Sequence, residues 1–215
     1  MDKGNTALVL NPFVQGMRDS GAQVKMLYSK RLDIRPCTGE FRCWTDSPGS
    51  CYIKDDMPDL LAEMRGSEYW VFGVPVYAKF PGEMQNIMNR TMPLFDERVV
   101  ARGRTLLPGV RGELKLRKIV LVSSCAFWGL ENFDLIVETM QFLAKAFDSK
   151  LARPLLRPNA EMLRPGGVSR QTAKMVMDGA KKAGSELIAD DDISAKSARI
   201  VQMPFMSKAE FLKSQ

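Results

Sequence analysis

Two runs of this chain, residues 68–77 (EYWVFGVPVY) and 118–125 (KIVLVSSC), are apolar along nearly their whole length. A strand with one face in water alternates apolar and polar residues. A continuous apolar run needs cover on both faces, as in a parallel sheet flanked by helices. Helical-period segments separate these runs from their neighbours. Residues 81–92 place Met84, Ile87 and Met88 on one face. Residues 131–148 line up Phe133, Ile136, Val137, Met140, Leu143, Ala144 and Phe147, and residues 168–190 give a last long helix. Upstream, residues 5–20 predict a helix with Val9, Phe13, Gly16 and Met17 together, Pro12 as a kink point and Gly21 as its end. Residues 22–29 predict a strand with Val24, Met26 and Tyr28 on one side. Asp55, Asp56 and Pro58 suit the start of a helix running to about Arg65, and residues 150–156 predict the last strand. This alternation predicts an α/β, doubly wound parallel sheet.

In such sheets ligands bind beyond the carboxyl ends of the strands, where strand order reverses. The two strand ends of interest are Pro75-Val76-Tyr77 and Ser123-Ser124-Cys125-Ala126-Phe127. Residues 1–215 are expected to form a single domain with a C-terminal tail over 190–215. The tail carries Asp190-Asp191-Asp192 and an amphipathic end with Phe205, Phe211 and Leu212, which is expected to dock on a neighbouring element or a second subunit. Residues 93–117 read as a long basic loop.

Function classes narrow by elimination. The chain has 31 basic and 25 acidic residues, a net charge of +6, and no histidine. Histidine bases, Ser-His-Asp triads and histidine metal sites are therefore excluded. The charge is dispersed, apart from Arg98, Arg102, Arg104, Arg111, Lys115, Arg117 and Lys118. With no aromatic-interleaved basic stripe and no helix-turn-helix or zinc-finger spacing, nucleic acid is not an expected partner. No apolar run approaches the roughly 20 residues of a membrane helix. The N-terminus lacks the pattern of a secretory signal, so the expected location is cytoplasmic, where cysteines stay reduced. Three of the four cysteines, Cys37, Cys43 and Cys51, fall in one Gly/Pro/Ser-rich loop, which suggests metal, cluster or thiol chemistry before a disulfide.

The order of short motifs resembles the flavodoxin-like NAD(P)H-dependent FMN oxidoreductases, especially their iron–sulfur flavoprotein branch. Gly4-Asn5-Thr6 is similar to the end of that family's phosphate loop. Cys37, Cys43 and Cys51, followed by Asp55-Asp56-Met57, resemble its cysteine loop. Pro75-Val76-Tyr77 with Pro81-Gly82 and Asn89-Arg90-Thr91 resembles the third strand and its flavin-facing loop. Ser123 to Trp128 with Glu131 to Asp134 resembles the fourth. The resemblance implies FMN, a sheet of strand order 2-1-3-4-5, a nicotinamide donor (NADH or NADPH), a small-molecule or protein acceptor such as a quinone, and homo-oligomers. It assigns FMN contacts to Asn5, Thr6, Pro75, Val76, Tyr77, Ser123, Ser124, Cys125, Ala126 and Phe127. No catalytic acid or base is required for hydride transfer to flavin.

The chain departs from that pattern twice. The apolar first strand and the first half of the phosphate loop have no counterpart before Gly4, which would leave an open groove in the sheet; the expectation is that the natural start lies upstream. In the branch's C-x2-C-x2-C-x7-C spacing, Glu40 stands where the second cysteine would be. A carboxylate matches cluster iron poorly, so a 4Fe–4S cluster is expected to be absent or labile. The three cysteines also admit a zinc site with Glu40, or free thiols of a structural loop. Read without the resemblance, Asn5 and Thr6 cap a helix, Tyr77 packs on the surface, and the basic loop is solvated. The competing functional readings are an electron carrier and a cofactor-free binding module.

Overall fold

The computed structural model describes residues 3–77 and 80–214. Met1, Asp2 and the tail's last residue, Gln215, lie outside them. Two strands carry the architecture: β1 (Tyr69–Pro75) and β4 (Lys118–Ser124) pair in parallel along their whole length, from Tyr69 opposite Lys118 to Pro75 opposite Ser124. The sheet continues beyond β4 with two short parallel pieces, β5 (Lys150–Leu151) and β6 (Leu155–Arg157). The strand expected over 150–156 is split at Ala152–Pro154. There the amide of Arg153 bonds to Asp192 Oδ1 at 3.1 Å, and Pro154 has no N–H to give.

Helices cover both faces. On one side α2 (Met57–Gly66), α3 (Gly82–Asn89) and α4 (Asp134–Ala146) enclose Trp70, Phe72, Val74, Ile119 and Leu121. On the other, α1 (Ala7–Asp19), α5 (Arg170–Asp190) and α6 (Ala195–Gln202) enclose Val120 and Val122 with Phe13, Met17 and Leu187. Alternate residues of β4 thus enter opposite cores, which is why that run is apolar throughout. The closest helix contact is glycine-mediated: a Cβ on Gly16 would sit 1.8 Å from Lys181 O, and one on Gly184 would sit 1.9 Å from Phe13 O. α1 continues through Pro12 and ends before Gly21, at φ 91°.

Three expectations are corrected. Residues 22–28 form no strand: among the described residues neither they nor the second edge of β1 has a ladder partner, because a cavity keeps the two apart. Both wall this cavity, of about 2000 Å³. Residues 93–117 are not an unstructured loop. They contain an antiparallel hairpin, β2 (Phe95–Arg102) and β3 (Thr105–Val110), with a bulge between Asp96 and Val99. Gly103, at φ 63°, makes its two-residue turn. Arginines of this stretch pair with carboxylates while Arg98 and Arg117 stay largely exposed: Arg98 with Asp96 at 2.7 Å, Arg102 with Asp148, and Arg117 with Glu68 at 3.3 Å.

The tail docks within its own chain. Glu186 on α5 accepts from Ser194 and Ser197 hydroxyls at 3.0 Å each, holding the start of α6. Trp128 Nε1 donates to Met206 O at 2.9 Å, just before α7 (Lys208–Lys213), which buries no residue. Among the described residues no helix is long and apolar enough to cross a membrane.

Candidate functional site

At the carboxyl edge of the sheet three chain segments meet at Ser124. The Val76 amide donates to Ser124 O at 2.8 Å, which ties the loop after β1 to the end of β4. The Ser124 hydroxyl lies 2.7 Å from Thr6 Oγ1, at the start of α1. The two strand-end turns are therefore in contact. The slot beside them is open: Asn5, Thr6, Pro75, Val76, Tyr77, Ser124, Cys125 and Ala126 all line the 2000 Å³ cavity.

Of the ten residues assigned to FMN, these eight come together. Ser123 does not reach the cavity; it is buried, and its hydroxyl donates to Val74 O at 2.6 Å, fastening β4 to β1. Phe127 lies outside the cavity wall and is 64% exposed, while Tyr77, on the wall, is 65% exposed. Two exposed rings thus stand beside the cavity. Cys125 is buried, and its Sγ lies 3.2 Å from Phe127 O; burial pushes its thiol up, so it is poorly suited to nucleophilic work.

At the start of α1 neither Asn5 nor Thr6 caps the helix: Thr6, the N-cap residue, makes no side-chain cap bond. The amides of Ala7, Leu8 and Val9 turn back onto the carbonyls of Gly4, Asn5 and Thr6. What remains directed outward is side-chain chemistry. Asn5 Oδ1 accepts from Arg164 Nε at 2.7 Å, and Arg164 Nη2 also donates to Lys3 O at 2.8 Å. No acidic residue occupies the first turn of α1. A hydroxyl, an amide, a guanidinium and the positive end of a helix fit a phosphate group. The exposed rings and backbone groups alongside fit the planar part of FMN. Arg164 was not among the candidates, and no local pattern flags it, since its partner lies 159 residues away in the chain.

The cysteine loop holds its three cysteines in different surroundings. Cys37 is exposed, Cys51 half-buried and Cys43 buried, all as free thiols. Burial and the neighbouring Cys51 push the Cys43 thiol up. Glu40 is held by the hydroxyl of Thr38. Among the described residues no group of three or more cysteines and carboxylates converges on a common point for a metal ion. Beneath the loop lies an ion pair not foreseen from sequence, Asp55 with Arg90, which fixes the loop's base.

Comparison with known proteins bears on this geometry. The profile of the family described as NADPH-dependent FMN reductase matches residues 1–126. The chain is 26% identical over 93 residues to an iron-sulfur flavoprotein of Methanocaldococcus jannaschii, covering 43% of this chain and 47% of that one. It is 25% identical over 115 residues to an iron-sulfur flavoprotein of Archaeoglobus fulgidus, covering 53% and 56% respectively. The chain thus matches about half the length of these curated relatives. Among solved structures, an NAD(P)H:quinone oxidoreductase from Methanothermobacter marburgensis superposes with a TM-score of 0.61 at 16% identity, covering 87% of this chain and 92% of that one. An azoreductase from Bacillus anthracis gives 0.59 at 11% identity, covering 88% and 93%. These two likenesses establish the fold, a flavodoxin-like one.

Proposed function

Because this chain belongs to the NADPH-dependent FMN reductase family, we propose that it is an FMN-dependent oxidoreductase that draws electrons from a reduced nicotinamide. It passes them on to a quinone, another small acceptor or a protein partner. The observation that carries this reading is the junction at Ser124, where both strand-end loops and the start of α1 are joined beside an open cavity.

Bound FMN would supply the two-electron chemistry. The chain's own residues would bind and orient it. Asn5, Thr6 and Arg164 would hold the phosphate end. Pro75, Val76 and Tyr77 would face the ring from one side, and Ser124 to Phe127 from the other. With no histidine and a Cys125 thiol raised by burial, the site offers no strong base, and transfer of a hydride asks for none. The remainder of the cavity lies between residues 22–28 and the edge of β1 that has no ladder partner among the described residues. Exposed Val99, Leu106 and Phe142 support self-association into a homo-oligomer. Four free cysteines suit a reducing, cytoplasmic setting.

FMN titration followed by flavin fluorescence tests the proposal. The expected result is quenching that saturates at one FMN per chain. Fluorescence that stays at the value of free FMN throughout would contradict it.

A further inference from the structure

The loop Cys125–Phe127, whose first two residues line the cavity, has no regular structure of its own, yet each of its three carbonyls is held. The Ala160 amide donates to Cys125 O at 3.1 Å, and the Asn159 amide to Phe127 O at 3.3 Å. The Asn159 side chain supplies the third bond, Nδ2 to Ala126 O at 3.1 Å. A fourth bond, Cys125 N–H to Arg157 O at 3.1 Å, fixes the start of the loop. Asn159 is 1% exposed and sits in the left-handed region, φ 48°. Asparagine tolerates that conformation better than other side-chain-bearing residues. Glycine would adopt it more readily but could not reach Ala126.

The brace is itself immobile. Arg157 is fully buried; its Nη1 donates to Val201 O at 2.6 Å, and its guanidinium lies 4.1 Å from the Phe205 ring centre. The segment 157–160 is thereby clamped between the end of α6 and the cavity loop. Among the described residues Arg157 has no carboxylate partner at ion-pair distance, and burying an arginine in that way is costly.

We propose that Asn159 is a positioning residue, which sets Cys125–Phe127 at the distance and angle that the flavin ring requires. This rests on the FMN reading above and deepens it. Asn159 does not line the cavity; it acts through Ala126 and Phe127. Its side-chain amide is the one bond of the brace that a substitution can remove while the backbone bonds stay.

Two variants test this. Asn159→Asp keeps size and left-handed tolerance but sets an acceptor against the Ala126 carbonyl. Asn159→Gly keeps the backbone geometry and drops the amide alone. Both are compared with the wild type by FMN dissociation constant and by the visible band of the bound flavin, at a temperature where circular dichroism shows each fully folded. Asn159→Asp is expected to weaken FMN about tenfold or more and to shift the band, and Asn159→Gly to weaken it by about threefold. If Asn159→Asp does not fold, Asn159→Gly decides. Variants with wild-type affinity and an unshifted band, while the wild type binds FMN, would overturn the role of Asn159 and leave the flavin reading standing. A wild type that takes up no FMN would overturn both.

Discussion

Asp55 and Arg90 form a two-pronged ion pair, Nη1 to Oδ2 at 2.7 Å and Nη2 to Oδ1 at 3.1 Å, with side chains 0% and 1% exposed. The pair joins the base of the cysteine loop to the end of α3. Asp55 also accepts from the amides of Arg35 and Met57 at 3.0 Å each, and Arg90 donates to Arg35 O at 2.8 Å. Breaking a buried pair from one side strands the other charge, at about 3–5 kcal/mol. Asp55→Asn is expected to lower unfolding free energy by that order in urea melts.

The same pair makes the fold acid-sensitive in a defined direction. Burial opposes ionisation of Asp55, but the Arg90 bonds and the two amides outweigh it, so its carboxyl lies below the ordinary carboxylate value. A depressed acid contributes its full stability above its unfolded value and loses it as pH falls through the folded one. Urea midpoints of the wild type should therefore drop as pH is taken below about 3.8, and Asp55→Asn should flatten that drop.

Asp55 illustrates what sequence could and could not supply. Its placement at a helix start was readable, because its Oδ1 accepts from the Met57 amide two residues on. Its partner Arg90, 35 residues away, left no local trace. β4 was legible because both its faces are buried and its composition records that. Residues 22–29 carry the alternation of a strand, but a cavity separates them from the edge of β1 that also walls it. The hairpin over 95–110 was hidden by its arginines, although Gly103 between apolar-rich flanks was a usable signal. At the site, the junction of Thr6, Val76 and Ser124 followed from the strand ends, whereas Arg164 and Asn159 come from a loop that no pattern distinguished.

The α1–α5 contact predicts intolerance at two glycines. A methyl at Gly16 or Gly184 would overlap a backbone carbonyl of the other helix, which cannot move aside as a side chain can. Gly16→Ala and Gly184→Ala are each expected to destabilise by about 1–3 kcal/mol or more, read as lowered urea midpoints. Unchanged midpoints would mean the helices are further apart.

The proposed phosphate site at the start of α1 predicts selective losses. Thr6→Val and Arg164→Met should weaken FMN about tenfold, near 1.4 kcal/mol. Both should leave the affinity for riboflavin, which lacks the phosphate, within a factor of about two of the wild type. Parallel losses for both flavins would place the phosphate elsewhere.

The cysteine loop predicts poor metal loading. With Glu40 at the second position and Cys43 buried as a thiol, anaerobic reconstitution should give fewer than four irons per chain. Glu40→Cys should raise the iron content. A stable four-iron wild type would show that the loop rearranges around a cluster.

The central claim is that the carboxyl edge around Ser124 is a flavin redox site. Its most direct measurement is the visible absorbance of the FMN-loaded protein on anaerobic addition of NADPH or NADH. Bleaching of the flavin band by at least one of the two, faster than for free FMN under the same conditions, is the predicted result. Bound flavin that stays yellow with both donors would contradict it.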